Sequence, residues 1–353
     1  MSGVSRRTAM KAGAAFMVSA LFESTSYGCQ AYRDAKLRRG EPPQPDPGAF
    51  TLVVLPDTQH YSDGYPETFA AQTNWIVENR AARNIVGVIH LGDITDHNSP
   101  REWKNASRAL GRLDGVVPYF LTCGNHDYGQ DGKCHDRTTL LSDYFPVSRF
   151  RDLCTFGGVY DHEPAQLENS YHLLDVGDRK LMILSLEFGP RHDVVRWANE
   201  VVANHPDRSV ILATHSYTYI DNSRHNWDER GLRQEWNPHA YPIARASDDD
   251  VMDGEELWTN LVSRHSNFIM TLNGHCLGDG LGRLSTETAT GRSVEQMLVN
   301  FQMRPRGGDG WLRLLEFRED QSVQVYDYSP TRRQRNESPK NQFSVNLSPP
   351  AMT

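Results

Sequence analysis

The sequence has too little positive charge to indicate a nucleic-acid-binding protein. Its 353 residues include 37 Lys and Arg against 45 Asp and Glu, which gives a net charge of −8 at pH 7. Nucleic-acid binding depends on clustered cations that neutralise phosphates, so this balance argues against such a surface and we expect none. The one basic run, Arg332 to Arg335, lies in a polar segment near the C-terminus and is typical of a solvated chain end.

The N-terminal apolar stretch is too short to cross a membrane. It runs from Ala12 to Phe22, whereas a membrane-spanning helix needs about 20 residues. Its length is that of a signal-peptide core, and the preceding Arg6-Arg7 pair resembles the twin-arginine export signal. We therefore expect residues 1–29 to be a twin-arginine (Tat) signal peptide and the protein to be periplasmic or at the cell surface. The alternative is a chance arginine pair before a disordered leader.

Cysteine is scarce, with five residues in the chain. Cys29 follows small residues at the end of the predicted signal, which is typical of lipoprotein processing, but Ser26 stands where an aliphatic residue is expected. A lipid anchor on Cys29 and ordinary cleavage nearby both stay open. In an oxidising compartment, Cys134 and Cys154 are a candidate disulfide because both lie in loop-like sequence. The sequence alone does not fix this pairing.

The remaining chain reads as one large α/β domain. Residues 30–49 are polar and end in a proline-rich run, which predicts a semi-extended linker. We expect the domain to occupy residues 50–330 and a polar tail to occupy residues 331–353. Within the domain, apolar strands alternate with helical patterns, which favours strand ends collected on one edge. The predicted helices are Thr68–Ala82, Arg101–Leu113, Val194–Asn204 and Gly254–Arg264.

The stretch from Tyr217 to Asp253 is long, polar and aromatic. A structureless loop of this length is unusual inside a domain and is often functional. Two interpretations are open: a cap over a pocket, or a disordered insert.

Five polar clusters each follow an apolar segment that reads as a buried strand. They are Asp57-Thr58-Gln59-His60, Gly92-Asp93-Ile94-Thr95-Asp96, Gly124-Asn125-His126-Asp127, Thr214-His215 and Gly274-His275. The strands before them are Leu52–Leu55, Ile85–Leu91, Val116–Thr122, Val210–Ala213 and Phe268–Leu272. Carboxylates, imidazoles and amide oxygens gathered at strand ends predict a two-metal hydrolytic site. Each cluster alone is typical of a turn, and only the ordered set carries this prediction.

The residue types in these clusters match the donors that metal ions need. Asp93 follows a glycine at a strand end, and its two carboxylate oxygens are able to bridge two cations. Asp57 and Gln59 are two residues apart and share one face if the strand geometry persists. Two cations about 3.5–4 Å apart clamp a phosphoryl group and lower the pKa of a bound water from 15.7 toward about 7.

The later clusters add nitrogen donors. Asn125 offers an amide oxygen, and His215 and His275 offer imidazole nitrogens. A mixed nitrogen and oxygen set suits Mn, Fe or Zn better than Ca or Mg. His126 directly follows Asn125 and is suited to stabilise charge or protonate a leaving group. We expect Asp96 to orient that imidazole.

Taken together, these residues resemble the calcineurin-like metallophosphoesterases, whose pattern is D-x-H, G-D-x-x-D, G-N-H-D/E, a lone His and G-H-x-H. The resemblance covers roughly residues 50–330. It implies a four-layer α/β sandwich with two β-sheets flanked by helices and a dinuclear site at the sheet edge. By position, it implies that Asp93 bridges the metals and that Asp57 and Gln59 belong to the first metal position. It also implies that Asn125, His215 and His275 belong to the second metal position. The catalytic His would then be His126, and Asp96 would be its partner.

The sequence departs from this pattern twice. Gln59 replaces the histidine of the first motif, a form that looks like a bacterial Pro-Asp-Thr-Gln subgroup of the family. Leu277 replaces the last histidine of G-H-x-H, and leucine does not bind metal. Asp279, in the glycine-rich loop that follows, is our candidate for an extra ligand. The alternative is that Asp279 is only a turn residue.

We therefore predict an exported phosphoesterase with two divalent or trivalent metal ions, most plausibly Mn, Fe or Zn. The expected substrate is a small-molecule phosphate ester, and the choice between monoester and diester is open, as is the oligomeric state. The rival hypothesis is a non-catalytic surface binding protein with a degenerate metal site, because the last histidine is missing. Metal content and turnover distinguish the two.

Overall fold

The computed structural model describes residues 35–347, which form two β-sheets packed face to face with helices on their outer sides. The predicted signal peptide, including Cys29, lies outside the described residues. Among residues 35–347, none of the helices has the length and apolar character needed to span a membrane.

The described part of the chain contains fifteen strands. In chain order they are β1 (Leu37–Arg39), β2 (Phe50–Leu55), β3 (Ile85–His90), β4 (Tyr119–Phe120), β5 (Phe156–Val159), β6 (Ser170–Val176), β7 (Arg179–Ser185), β8 (Ser209–Ala213), β9 (Phe268–Asn273), β10 (Leu281–Glu287), β11 (Ser293–Val299), β12 (Leu312–Phe317), β13 (Ser322–Ser329), β14 (Gln334–Asn336) and β15 (Gln342–Asn346).

The two sheets are both mixed. The first has the order β1-β14-β13-β12-β2-β3-β4, and β15 pairs with β13. The second has the order β10-β11-β9-β8-β7-β6-β5. In the first sheet β2, β3 and β4 are parallel. In the second, β7, β8, β9 and β11 are parallel. The carboxyl ends of parallel neighbours lie on the same edge of a sheet, so each sheet presents several loops at one end.

Helices cover the outer faces and connect the strands. The α-helices of the described residues are Gln59–Gly64, Pro66–Asn79, Pro100–Leu110, Leu141–Tyr144, Ser148–Arg151, His192–Ala203, Trp227–Arg230, Pro242–Ala246, Gly254–Asn260 and Pro305–Gly308. Short 3-10 segments lie at Gly111–Leu113, Asn125–Asp127, Gln130–Gly132, Gly231–Arg233, Pro238–Ala240 and Val262–Arg264. The predicted helices therefore exist, with ends displaced by a few residues and two of them closing in a 3-10 turn.

Side-chain alternation along β2 explains the four layers. Leu52 and Val54 point into the cluster between the sheets, where they meet Ile211 of the second sheet. Val53 and Leu55 point to the other side and pack with side chains of the helices Pro66–Asn79 and Pro100–Leu110. Successive residues of a strand face opposite sides, so a strand that is apolar throughout must be covered on both faces. A third cluster covers the outer face of the second sheet under the helix His192–Ala203. The predicted four-layer α/β sandwich is confirmed.

The predicted ends of the domain are wrong. The sequence predicts a linker at Leu37–Arg39 and a tail at Gln334–Asn336, but these two segments pair as antiparallel strands. Gln342–Asn346 also pairs with β13. These segments are short and polar because they lie at or beside the edge of the first sheet, so they lack the apolar pattern that identifies a central strand. The domain of the described residues therefore extends beyond both predicted boundaries.

The candidate disulfide is not formed. Cys134 is buried and Cys154 is exposed, and all four cysteines of the described residues are free thiols.

Candidate metal centre

The five polar clusters meet at one edge of the sandwich. Three of them follow β2, β3 and β4 of the first sheet, and two follow β8 and β9 of the second. Because these strands run parallel within each sheet, their carboxyl ends bring the clusters to the same end. A direct contact joins the sheets there, since the Asp57 carboxylate accepts a hydrogen bond from the His275 backbone N–H at 3.0 Å.

The backbone of three predicted donors is strained. Asp57, Asp93 and His275 have φ values of 34°, 48° and 75°. A residue other than glycine in this region costs of the order of 1–3 kcal/mol and persists only where its surroundings impose it. The strain turns these three side chains toward a common point instead of along their strands.

Two glycines provide the space that the carboxylates occupy. A Cβ atom on Gly124 would overlap the Asp93 carboxylate, and one on Gly274 would overlap the Asp57 carboxylate. Glycine alone tolerates such an approach. The glycines of the Gly-Asn and Gly-His motifs are therefore required because a side chain at either position would collide with a carboxylate.

The donor atoms lie within reach of a shared cation. His215 Nε2 is 3.2 Å from Asp93 Oδ1 and 4.0 Å from Asp57 Oδ1. One ligand atom from each of Asp93, His215 and His275 lies within 4.8 Å of the others. All of these side chains are almost fully buried. Buried carboxylates and imidazoles in such a group are typical of a metal site.

Backbone carbonyls fix which nitrogen of each imidazole faces the centre. His215 Nδ1 lies 2.7 Å from the Leu91 oxygen, and His275 Nε2 lies 2.7 Å from the Trp236 oxygen. A carbonyl oxygen only accepts hydrogen bonds, so these two nitrogens carry the hydrogen. The lone pairs of His215 Nε2 and His275 Nδ1 are thereby left for a metal, which is how metal-binding histidines are usually held.

Three predicted donor atoms are buried without a hydrogen-bond partner. They are Gln59 Oε1, Asn125 Oδ1 and His215 Nε2. A buried polar atom without a partner costs roughly 1–3 kcal/mol. Metal coordination would give each of these atoms a partner, and such donor types fit the metal ions that the sequence predicts.

The carboxylates have divergent pKa values. Burial raises the pKa of Asp57 to about 8, against the opposing charge of His215. Burial also raises the pKa of Asp93, but the charges of His215 and His126 lower it by more. The pKa of Asp93 therefore lies below its ordinary value. Burial lowers the pKa of His215, yet Asp93 overcomes this and raises it to about 9. A proton on His215 therefore competes with a cation for the same lone pair.

His126 lies beside this group with one nitrogen fixed. Its Nδ1 is 2.8 Å from the Asp96 backbone oxygen and 3.4 Å from the Asp96 carboxylate. Asp96 thus contacts the imidazole through its main-chain oxygen more closely than through its carboxylate. Burial lowers the pKa of His126, and the charges of Asp93 and Asp96 reverse this to a net rise. Nε2 of His126 is left to exchange a proton.

Asp127 is an organising residue that the sequence analysis quoted without giving it a role. Its carboxylate accepts from the backbone N–H groups of Ile94, Thr95 and Gly124 and from the Thr95 hydroxyl, at 2.8–3.1 Å. It thereby joins the loop of Asp93 to the loop of Asn125. A signal was available, because an acidic residue closes the G-N-H-D/E motif.

Asp279 does not join the other donors. One of its oxygens pairs with Lys340 Nζ at 2.6 Å, and the other accepts from the Leu281 N–H at 3.1 Å. These contacts do not support the prediction of Asp279 as an extra ligand, because both carboxylate oxygens have other partners. The turn interpretation fits these contacts.

The segment from Tyr217 to Asp253 is a folded cap. It contains two short helices and two 3-10 turns, and it supplies the Trp236 oxygen that holds His275. The Tyr241 hydroxyl lies 3.4 Å from the same nitrogen of His275. Thus the cap is part of the centre, and the alternative of a disordered insert is excluded.

An ion-pair bridge fixes this cap to the body. His239 Nδ1 lies 2.8 Å from Asp249 Oδ1, and His239 Nε2 lies 2.8 Å from Glu256 Oε2. Burial lowers the pKa of His239, but the two carboxylates outweigh it and raise the pKa to about 9. The imidazole is therefore a cation at neutral pH, and it bridges the cap to the helix Gly254–Asn260.

The family model for calcineurin-like phosphoesterases matches residues 50–251. The chain belongs to the calcineurin-like phosphoesterase family. Members of this family are metal-dependent phosphoester hydrolases, and the matched region contains Asp57, Gln59, Asp93, Asn125 and His215.

One curated relative matches over most of the chain. It is the uncharacterized protein YvnB of Bacillus subtilis (strain 168), 32% identical over 326 residues, which cover 87% of this chain and 22% of YvnB. The chain therefore spans about a fifth of the length of this relative.

The solved structures that match this chain are more distant. Purple acid phosphatase PPD1 from yellow lupin is 12% identical with a TM-score of 0.49, covering 86% of this chain and 55% of that one. GAP50 of Plasmodium is 9% identical with a TM-score of 0.46, and the match covers 86% of this chain and 90% of GAP50. The NAD nucleotidase NadN of Haemophilus influenzae is 11% identical with a TM-score of 0.40, and the match covers 85% of this chain and 50% of NadN.

Proposed function

We propose that this chain hydrolyses small-molecule phosphate esters at a dinuclear metal centre. The observation that carries the proposal is the buried group of Asp93, His215 and His275 beside Asp57. It is supported by the buried atoms Gln59 Oε1, Asn125 Oδ1 and His215 Nε2, which have no hydrogen-bond partner. Asp57, Gln59 and Asp93 would hold one cation. The other would be held by Asp93, Asn125, His215 and His275. When bound, the cations supply positive charge that stabilises phosphoryl oxygens and lowers the pKa of a coordinated water.

The residues of the chain then divide the remaining work. His126 carries its hydrogen on Nδ1 toward Asp96, so Nε2 is the atom that transfers a proton to the leaving oxygen as the ester bond breaks. The charge of Asp93 favours the protonated imidazole that this step requires. Burial of the carboxylates and imidazoles among these donors strengthens their electrostatic contacts.

The experiment compares turnover with metal content in matched variants. Asp93→Asn and Asn125→Ala should each lower hydrolysis of p-nitrophenyl phosphate or bis(p-nitrophenyl) phosphate by on the order of 10²-fold or more and should lower metal content as well. Asp143→Asn is the control, since this carboxylate is exposed on the helix Leu141–Tyr144. Unchanged turnover in both ligand variants would refute the proposal. The mono- and diester pair also identifies which ester class is hydrolysed.

His126 is tested by the nature of the leaving group. His126→Gln should reduce kcat for an alkyl phosphate ester by on the order of 10²–10⁴-fold. The loss should be much smaller for p-nitrophenyl esters, because p-nitrophenolate leaves without a proton. Metal content should stay at the level of the unsubstituted protein. Equal losses on both substrates would exclude proton donation by His126.

One observation favours the rival, a non-catalytic surface binding protein. The first metal position has no histidine, because Leu277 replaces it and Asp279 pairs with Lys340. Elemental analysis with a panel of esters separates the two functions. Turnover that depends on bound metal supports the enzyme, whereas a protein with one metal or none and no turnover supports the binder.

We further propose that the protein is exported by the Tat pathway and works in the periplasm or at the cell surface, with a lipid anchor at Cys29 as one form of attachment. The Arg6-Arg7 pair before a short apolar core supports this. Fractionation of cells that express the full chain tests it: replacing both arginines by lysine should retain the protein in the cytoplasm. Release of the Cys29→Ser variant into the soluble periplasm would indicate the anchor.

A further inference from the structure

The two metal positions have different donor chemistry. The second position combines Asn125 with two imidazoles whose lone pairs are kept for a metal, His215 and His275. The first position has only oxygen donors, from Asp57 and Gln59. Asp93 is available to both. This difference arises because Leu277 stands where the family pattern has a second histidine.

Three other histidines near the centre have contacts of their own. His90 accepts a hydrogen bond from the Gly92 N–H on Nδ1 and contacts the Thr58 hydroxyl through Nε2, so both of its nitrogens are engaged. His60 directs Nδ1 toward Asp96, at 4.0 Å. His126 is held by the Asp96 backbone oxygen. The first position therefore relies on oxygen alone.

Asp279 does not compensate for the missing histidine either. Its carboxylate pairs with Lys340 and with a backbone N–H of its own loop. In the described residues, the one group of three metal-binding side chains at this centre is Asp93, His215 and His275. Both nitrogen-bearing members of that group belong to the second position.

From this asymmetry, and on the basis of the proposed function, we infer that the two positions bind different classes of cation. The position with His215 and His275 holds a transition metal such as Zn, Fe or Mn tightly. The oxygen-only position takes a hard divalent cation, Mg²⁺ or Mn²⁺, weakly and in exchange with solvent. Imidazole ligands suit transition metals, whereas carboxylate and carbonyl oxygens suit Mg, Ca and Mn. This replaces the expectation that both positions hold Mn, Fe or Zn.

The inference is tested by counting retained metal. Protein purified without added metal and passed through a desalting column should keep about one equivalent of transition metal per chain. Mg²⁺ or Mn²⁺ added afterwards should bind as one further equivalent in a calorimetric titration and be lost on a second desalting step. Two equivalents of transition metal retained through desalting would overturn the inference and leave the proposed function intact. No retained metal under any condition would overturn both.

A substitution that restores the histidine gives the sharper test. Leu277→His should convert the exchangeable equivalent into a retained one and tighten zinc binding at the first position by about tenfold or more, the scale on which groups around a metal change its affinity. Leu232→His is the matched control, because this leucine is 77% exposed in the cap. Unchanged zinc binding in a folded Leu277→His variant would contradict the inference.

Two further variants keep the test decisive if Leu277→His does not fold. Gln59→His introduces an imidazole at the first metal position and should also create a second retained equivalent of transition metal. Asp279→Asn should leave both metal equivalents unchanged, because the carboxylate faces Lys340. Loss of the weak equivalent in Asp279→Asn would show that this residue is a ligand after all and would overturn the oxygen-only description.

Discussion

Asp127 is predicted to stabilise the centre without binding metal. It is fully buried and accepts four hydrogen bonds, three from backbone N–H groups and one from a hydroxyl. Asp127→Ala leaves all four donors without their acceptor. At roughly 1–3 kcal/mol for each buried group, a simple sum gives about 4–12 kcal/mol, but water entering the space left by the carboxylate would satisfy part of it. We expect the free energy of unfolding to fall by about 3–5 kcal/mol, as for other broken buried charge networks.

Asp127→Asn gives a graded result. The amide keeps one oxygen for Thr95, whose N–H and hydroxyl both bond to Oδ1, but its NH₂ group then faces the N–H groups of Ile94 and Gly124. Two of the four bonds are lost, so the cost should be about half that of alanine. The assay is urea denaturation of the metal-free protein, followed by calorimetric metal titration. Asp131→Asn is the control, because this side chain is 57% exposed.

The metal titration separates two explanations for the effect. If Asp127 positions the loops of Asp93 and Asn125, its variants should also bind metal more weakly. A fall in unfolding free energy below about 1 kcal/mol for Asp127→Ala, together with unchanged metal affinity, would refute the reasoning from buried hydrogen bonds.

Three more predictions concern the cap, the glycines and the metal. His239, with a folded pKa of about 9, should stabilise the fold fully below its unfolded pKa of about 6.5 and lose this contribution as pH rises through about 9. The melting temperature of His239→Gln should therefore be lower at pH 6.5 and approach that of the unsubstituted protein above pH 9.5. Gly274→Ala should displace Asp57 and weaken metal binding, whereas Gly64→Ala, with open space around the added Cβ, should not. A chelator should lower the melting temperature, since a ligand at 100 times its Kd adds about 2.7 kcal/mol of stability, and an unchanged value would argue against a resident metal.

Candidate metal-binding residues are easier to recognise in the sequence than the boundaries of the domain. Donors such as Asp57 and Asn125 are recognisable because a polar cluster directly after an apolar strand has few structural uses. The edge strand Gln342–Asn346 has no comparable signal, because one row of its hydrogen-bonding groups faces away from the sheet and its residues need not be apolar. The predicted strand Val116–Thr122 similarly shortens to Tyr119–Phe120 at the other edge.

The role of the cap also depended on the tertiary structure. Trp227, Tyr217 and Arg224 are residue types that either pack or contact a substrate. Tyr217 is buried, Arg224 pairs with Glu255 at 2.7 Å, and Trp227 stacks on the His239 ring. An aromatic residue in a long loop has the same composition whether it packs or binds, so only its neighbours distinguish the two.

The sequence by itself determined the layered α/β fold and the choice of candidate donor residues, because strand periodicity and the residue types after each strand are local properties. The tertiary structure decided which nitrogen of His215 and His275 faces the centre, that Asp279 turns to Lys340, and that the cap holds one of the imidazoles. These outcomes depend on competition between partners that are far apart in the chain. A pattern along the sequence shows which groups are present, but the packed structure determines which of them are already engaged.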